Sequence, residues 1–459
     1  MPNDFLKVDG LHFSLGGRYI TLRGFSLGSW LLSEHFMLGL PGTESQLHAA
    51  LVTAYGREKA EAFWNRFRDR FITEADFEFL KSLGINVVRI PFNYRLLEDD
   101  QRPYEYNEAG FSHLDRVLAL CEKYRIFAIP DLHSAPGGQN PDWHADNEVG
   151  EALFWKYADF RKRIISLWQH IAHRYHNNPW IAGYDLLNEP CADPGQEKLF
   201  VDFFDELISA VRRVDAKHIV FLQGNFYGRN MNIFSPSMDP QVAYSFHYYP
   251  HFFLRRLKGR NRPRLLERDF LENMTIPQFR ERLARPLWCG ETGVAAGMVR
   301  PKERLLLYNE LLDVLEKNRI SWTLWTYKDI GRMGLVSPGV DTAWMAFSRK
   351  ALGGWSLNHE FGVGPKVAKK RLGRYYRGAA DGVKRKITYR YYAEHQYVMS
   401  QIYWKLFSHT PFDTLLSFLE SFLFSRCAVW NDGADAVKKH IPPDLNDGGT
   451  SEADRRNRG

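Results

Sequence analysis

Two stretches decide the fold: Tyr184-Asp185-Leu186-Leu187-Asn188-Glu189-Pro190 and Pro286-Leu287-Trp288-Cys289-Gly290-Glu291-Thr292-Gly293. Each is a short apolar run that stops at a glutamate. A buried parallel strand reads this way when its C-terminal end delivers a side chain into a cleft. Working outward, strand-like runs recur at Tyr19–Leu27, Ile85–Pro91, Ile126–His133, Ile181–Asn188, His218–Gly224, Val242–His247, Pro286–Gly290 and Ile320–Trp325. Helical spacing fills the gaps at Glu58–Leu83, Gly110–Tyr124, Phe154–His176, Gln196–Asp215, Ile276–Ala284 and Pro301–Asn318. The first of these breaks near Thr73, where Thr-Glu-Ala-Asp marks a new helix start. Leu11–Ile20 reads as an N-terminal hairpin. Eight strands separated by helices predict parallel pairing and right-handed crossovers, hence an α/β fold, a closed (β/α)8 TIM barrel. No Gly-x-Gly-x-x-Gly follows the first strand, which argues against a dinucleotide-binding sheet.

The chain has 459 residues, 44% hydrophobic and 15% aromatic. That is enough for one barrel with additions and a large core. Net charge is +7, and it is concentrated. Residues 366–390 hold ten Lys/Arg against a single acid, Asp381, so the barrel itself is near neutral. The expected organisation is a barrel over 1–365, a basic, tyrosine-rich helical extension over 366–440 whose first part supplies the last barrel helix, and a disordered tail over 441–459. Cys121, Cys191, Cys289 and Cys427 match no metal or redox spacing and read as buried thiols. The N-terminus lacks an apolar core of signal-peptide length, and no run is long enough to span a bilayer. A cytoplasmic location is the expectation.

The strand ends carry the chemistry. Arg89 ends the second strand, His133 the third, and Asn188 with Glu189 the fourth. His247 and Tyr249 end the sixth, Glu291 the seventh and Trp325 the eighth. On one face of a barrel these side chains converge. Two carboxylates placed there suit cleavage of a glycosidic bond, one protonating the leaving oxygen and the other attacking the anomeric carbon. A nucleophile must stay ionised, and Arg89 with the Tyr249 hydroxyl would lower the pKa of Glu291. An acid/base must hold its proton, so apolar surroundings or a like charge are expected to raise Glu189. Asn188 can hydrogen-bond a sugar 2-hydroxyl, His133 and His247 can orient hydroxyls or the acid/base, and Trp325 can floor the subsite. Trp143 and His144 are placed on the cleft rim. The loop Tyr327–Trp344, with Lys328, Asp329, Arg332, Asp341 and Trp344, is expected to set the choice of sugar.

The order Arg, His, Asn-Glu, His-x-Tyr, Glu, Trp over about residues 10–350 resembles glycoside hydrolase family 5. The resemblance implies a (β/α)8 fold, retention of anomeric configuration, no metal and no cofactor, with Glu189 as acid/base and Glu291 as nucleophile. Leu27-Gly28-Ser29-Trp30-Leu31-Leu32-Ser33-Glu34 and Asp131-Leu132-His133-Ser134-Ala135-Pro136-Gly137-Gly138-Gln139-Asn140 look like the exo-β-1,3-glucanase branch. There a first-strand glutamate binds the terminal sugar, which points to Glu34. The chain departs from that branch after the eighth strand, and other branches cleave β-mannosides, glycolipids, rutinosides or furanosides. The expected partner is an oligosaccharide or glycoconjugate. Nucleic acid is not expected, since no binding motif accompanies the basic stretch. Peripheral membrane contact is the alternative use of that stretch, with the apolar residues of Thr410–Phe424 as an interfacial face. A carbohydrate-binding barrel without catalysis is the competing function, but it has no chemical need for both glutamates.

Overall fold

A computed structural model describes residues 4–250, 266–273, 276–352 and 369–442. Eight strands close a parallel barrel in chain order: β1 (Arg23–Ser26), β2 (Val87–Asn93), β3 (Phe127–Ser134), β4 (Gly183–Asp185), β5 (Ile219–Gln223), β6 (Val242–Tyr248), β7 (Leu287–Thr292) and β8 (Ser321–Leu324). The expected first strand is split. Arg18–Ile20 pairs with His12–Leu15 in a three-stranded antiparallel sheet with Lys7–Asp9, and the barrel strand begins only at Arg23. β4 is shorter than Ile181–Asn188, and β2 runs on to Asn93, past the expected end at Pro91.

The helices are α1 (Glu44–Tyr55), α2 (Arg57–Phe71), α3 (Glu74–Ser82), α4 (Glu108–Tyr124), α5 (Ala158–Tyr175), α6 (Glu197–Arg212), α7 (Ile276–Leu283), α8 (Pro301–Lys317), α9 (Ala343–Leu352), α10 (Asp381–Ser408), α11 (Phe412–Phe418) and α12 (Asn431–Lys439). The break expected near Thr73 falls between α2 and α3. The Thr73 N–H donates to Asp76 Oδ2 at 2.8 Å, so an acid three residues on satisfies the helix start. In α4, Leu114, Val117, Leu118 and Cys121 face inward as the spacing predicted.

At β7 the register against β6 slips by one residue. Phe246 pairs with Cys289, and the next residue, His247, pairs with Glu291. Gly290 is the extra residue of this bulge, and a Cβ there would lie 2.5 Å from Ser245 Oγ. Bulges at a barrel rim re-aim side chains, and this one brings Glu291 beside His247.

The extension is helical, as expected, over 369–378 and α10. The first helix after β8 is α9, however, and the 353–368 stretch lies outside the described residues. Half of the apolar face read as interfacial is buried against the barrel's helices, while Phe412, Leu416 and Leu423 are half-buried. Leu415, Leu419 and Phe422 are fully covered, and Phe422 packs on Phe67, Phe71 and Trp344. Most of the tail from 441 onward also falls outside the described residues. Among those described, no helix is long and apolar enough to cross a membrane.

Candidate active site

Every side chain singled out at the strand ends reaches one pocket at the C-terminal face of the barrel. Arg89 lies at its base, fully buried, because β2 continues four residues beyond it. Its guanidinium bonds Glu291 Oε1, Asn188 Oδ1 (2.7 Å), Asp131 Oδ2 (3.0 Å) and Asp185 Oδ2 (3.2 Å). Asp131 and Asp185 face each other across the β3–β4 pairing. Burial pushes Asp131 up to about 7 despite Arg89, and burial plus the charge of Asp131 does the same to Asp185.

Glu291 receives the Tyr249 hydroxyl on Oε2 at 2.7 Å, and His247 Nδ1 lies 3.5 Å from the same oxygen. Burial works against its charge, but His247, Arg89 and His133 outweigh it and hold the carboxyl below the usual range. An ionised carboxylate in this setting is a ready nucleophile.

Glu189 departs from expectation. Its surroundings are not apolar. His247 Nδ1 sits 2.7 Å from Oε1, and His144 Nε2 sits 3.0 Å from Oε2. Burial alone would raise this carboxyl, but the two histidines hold it well below the usual range. The backbone of Glu189 is left-handed, with φ +46°, which is strained for a residue with a Cβ. Its N–H donates to Gln223 Oε1 at 2.9 Å and its carbonyl accepts from Asn140 Nδ2 at 3.0 Å. Side chains of β5 and of the loop after β3 therefore hold the strain in place.

The remaining residues line the pocket beside the two glutamates. His133 donates or accepts at Asp131 Oδ2 (2.7 Å), and its other nitrogen lies 3.5 Å from Glu34 Oε1. Its ring stacks on Trp325 with centroids 5.3 Å apart. Asn188 Nδ2 is 3.4 Å from His133 Nε2. Glu34, Glu291 and Trp325 are each about 5% exposed, so the site is well shielded from solvent. On one side it is walled by His35 against Trp143 (4.8 Å) and by Trp143 against Tyr392 of α10 (5.4 Å).

Donor atoms of Glu189, His247 and Glu291 all lie within 4.8 Å of one another. Each is already engaged by a protein group, and we read the cluster as paired carboxylates bridged by a histidine.

Three of the five residues named in the loop after β8 have structural partners instead. Lys328 is fully buried, ion-paired to Asp76 at 2.5 Å and bonded to the Phe71 and Phe422 carbonyls. Asp329 accepts from the Gly331, Arg332 and Met333 N–H groups of its own turn. Trp344 is in the core. Sequence reasoning missed Asp131, Asp185 and Gln223, and it left His144 on the rim. The signal for one acid was present: Asp131 and His133 lie two apart on one face of β3, whereas Asp185 ends β4 and Glu189 lies beyond the strand.

Residues 49–331 match the family model for cellulase (glycosyl hydrolase family 5). A β-xylosidase of Phanerodontia chrysosporium is 36% identical over 420 residues, covering 88% of this chain and 86% of the relative. Endoglucanase C of Acetivibrio thermocellus is 27% identical, covering 58% of this chain and 87% of its own. Among solved structures, endoglucanase Cel5A of Thermotoga maritima superposes with a TM-score of 0.52 at 19% identity, covering 68% of this chain and 91% of its own. Such a likeness speaks for the fold alone, whereas the family model and the near full-length relative speak for the chemistry. The chain belongs to glycoside hydrolase family 5 and is a retaining glycoside hydrolase.

Proposed function

We propose that this chain removes single sugars from the ends of β-linked glycans or glycoconjugates by double displacement. Glu291 attacks the anomeric carbon, and Glu189 protonates the leaving oxygen and then activates water. One observation carries the reading: a carboxylate oxygen of Glu189 lies within 4.8 Å of one of Glu291. Retaining enzymes place the two groups about 5–5.5 Å apart, whereas inverting ones leave roughly 6.5–9.5 Å for a water. Arg89 and Tyr249 fix the nucleophile from below and from the side. Asn188, pinned by Arg89, is placed to bond a sugar 2-hydroxyl, while Glu34 and His133 meet hydroxyls further round the ring. Trp325 floors the subsite.

In support of exo action, His35, the residue after Glu34, packs on Trp143, and Trp143 packs on Tyr392 of α10; we read this aromatic run as closing the site beyond Glu34. The similarity to a β-xylosidase over most of both chains puts β-xylosides first among the candidate substrates and β-glucosides next.

The test is hydrolysis of a panel of 4-nitrophenyl β-xyloside, β-glucoside, β-mannoside, β-galactoside and β-fucoside, with Glu291→Ala as control. We expect activity on one or two members, lost by a factor of about 10⁴ or more in the variant. Cleavage of long polysaccharides at internal bonds, with no aryl monoglycoside turned over, would sink the exo reading.

A further inference from the structure

We propose that the catalytic proton of this site is held jointly by Glu189 and His144, and that Asp142, anchored by hydroxyls of Tyr227 and of Tyr389 on α10, positions His144 for that task. The proposal rests on Glu189 as acid/base and assigns His144 and Asp142 as positioning residues.

The geometry points to a shared proton. His144 Nε2 is 3.0 Å from Glu189 Oε2 and also 3.0 Å from Asn140 Nδ2. The Asn140 amide is oriented, because its Oδ1 accepts from the Asp142 N–H at 3.0 Å. Its NH2 therefore faces His144, and that NH2 also donates to the Glu189 carbonyl. One ring nitrogen thus faces an acceptor that favours its protonated form and a donor that favours its lone pair. Either position of the proton is supported: on Nε2, bonding to a carboxylate, or on Glu189, bonding to a neutral ring.

Asp142 is buried, and its Oδ2 accepts from the Tyr227 hydroxyl at 2.7 Å. The Tyr389 hydroxyl lies 2.7 Å from that of Tyr227. Phe226 and Tyr227 both have left-handed backbone, at φ +55° and +61°, and Arg385 of α10 covers the Phe226 ring. Lys386–Asp193 (2.6 Å) and Arg390–Glu151 (3.1 Å) tie the same helix to the loops after β4 and β3. The basic extension is thus part of the wall beside the acid/base.

Other groups bear on the pair. Glu34 acts on His144 by charge, while the rings of His133, Trp143 and Tyr227 pack beside it, and His35 feels its charge. His247 and, more remotely, Glu291 face Glu189, and Arg89, Asp131 and Asp185 act through His247. Burial lowers His144, but the bond to Glu189 and the charges of Glu189, Asp142 and Glu34 push it up to about 9. At rest the proton sits on His144. In the first step it passes to Glu189 and on to the leaving oxygen as the glycosidic bond breaks and the Glu291 ester forms. In the second, water gives a proton to Glu189 and its hydroxyl displaces Glu291, so the pair regains what it lost. The alkaline limb of activity then follows the pair and not a lone carboxyl.

The test compares pH profiles of kcat/KM for wild type, His144→Gln, Asp142→Asn and Glu189→Ala. It uses phenyl and 2,4-dinitrophenyl glycosides of the sugar that wild type cleaves. Acid catalysis matters for the poor phenolate leaving group and little for dinitrophenolate. We expect His144→Gln to move the alkaline limb on the phenyl glycoside down by about one pH unit or more, with Asp142→Asn moving it the same way by less. An unmoved limb in both variants, or an equal loss on both leaving groups, overturns the proposal. If Glu189→Ala cleaves the phenyl glycoside like wild type, Glu189 is not the acid/base and the parent reading falls with it.

Discussion

The two ends of this barrel are built from opposite chemistry. At the N-terminal end, Phe13, Leu22, Val87, Phe127, Ile219, Phe221 and Trp288 form a dry plug, capped by the small antiparallel sheet. At the other end, the same strands carry Arg89, Asp131, His133, Asp185 and Glu291, all nearly as buried. Burial therefore does not distinguish the two ends; what the side chains bury does. The apolar plug gains stability from area removed from water, whereas buried charges gain little beyond what they lose in hydration. Chemistry sits at the end where the fold is held by mutual neutralisation.

Arg89 is where that division should fail. Arg89→Met would leave Asp131, Asp185 and Glu291 around one apolar side chain. Breaking a buried charge network by removing one partner destabilises by about 3–5 kcal/mol, and loss of the nucleophile's cation should lower kcat by about 10²–10³-fold in whatever folds. Thermal melts and kcat on the same preparation would check both. A variant that melts like wild type would mean that the acids take up protons and need no cation. Phe13→Ala is the converse. It removes a ring packed 5.9 Å from Phe221, and a destabilisation of about 3–5 kcal/mol is expected, with kcat/KM per folded molecule unchanged. A drop in kcat/KM at temperatures where the variant is fully folded would show that the two ends are coupled.

This contrast also explains what could be read in the sequence. Strand ends bearing Glu189, Glu291, His133 and Trp325 stand out because a polar or aromatic residue interrupts an apolar run. β7 was legible for that reason, although the Gly290 bulge that re-aims Glu291 was not, since register appears only when β6 is laid beside it. Asp131 and Asp185 sit inside their runs and were passed over as strand residues, yet they supply two of the acids around Arg89. His144 is in a loop whose path is set by Asn140, Asp142 and a helix more than two hundred residues away, so no local pattern reports its contact with Glu189. Lys328 shows the opposite error. A charged residue after the last strand looked like a substrate contact, and its partner, Asp76, is a helix-start residue remote in sequence.

The smallest expected effect concerns the acids themselves. Asp185 has an ordinary value of 3.8 and is pushed up to about 7 in the folded chain by burial and by Asp131. Between those values the native state keeps a proton that the unfolded chain has released. The Asp185 contribution to stability must therefore fall as pH rises from about 4 to about 7 and level off above that, where loss of the His144 proton adds its own decline up to about pH 9. Glu291, held below its usual range, contributes in the opposite sense but only at more acidic pH, so it does not mask the slope. Asp185→Asn removes one titrating group, while Arg89 keeps Asp131 and Glu291 as partners. The variant should match wild type near pH 4 and melt about 1–4 °C higher at pH 8. A pH slope as steep as that of wild type would mean that Arg89 keeps both aspartates ionised, and that charge pairing, not protonation, lets this end of the barrel stay dry.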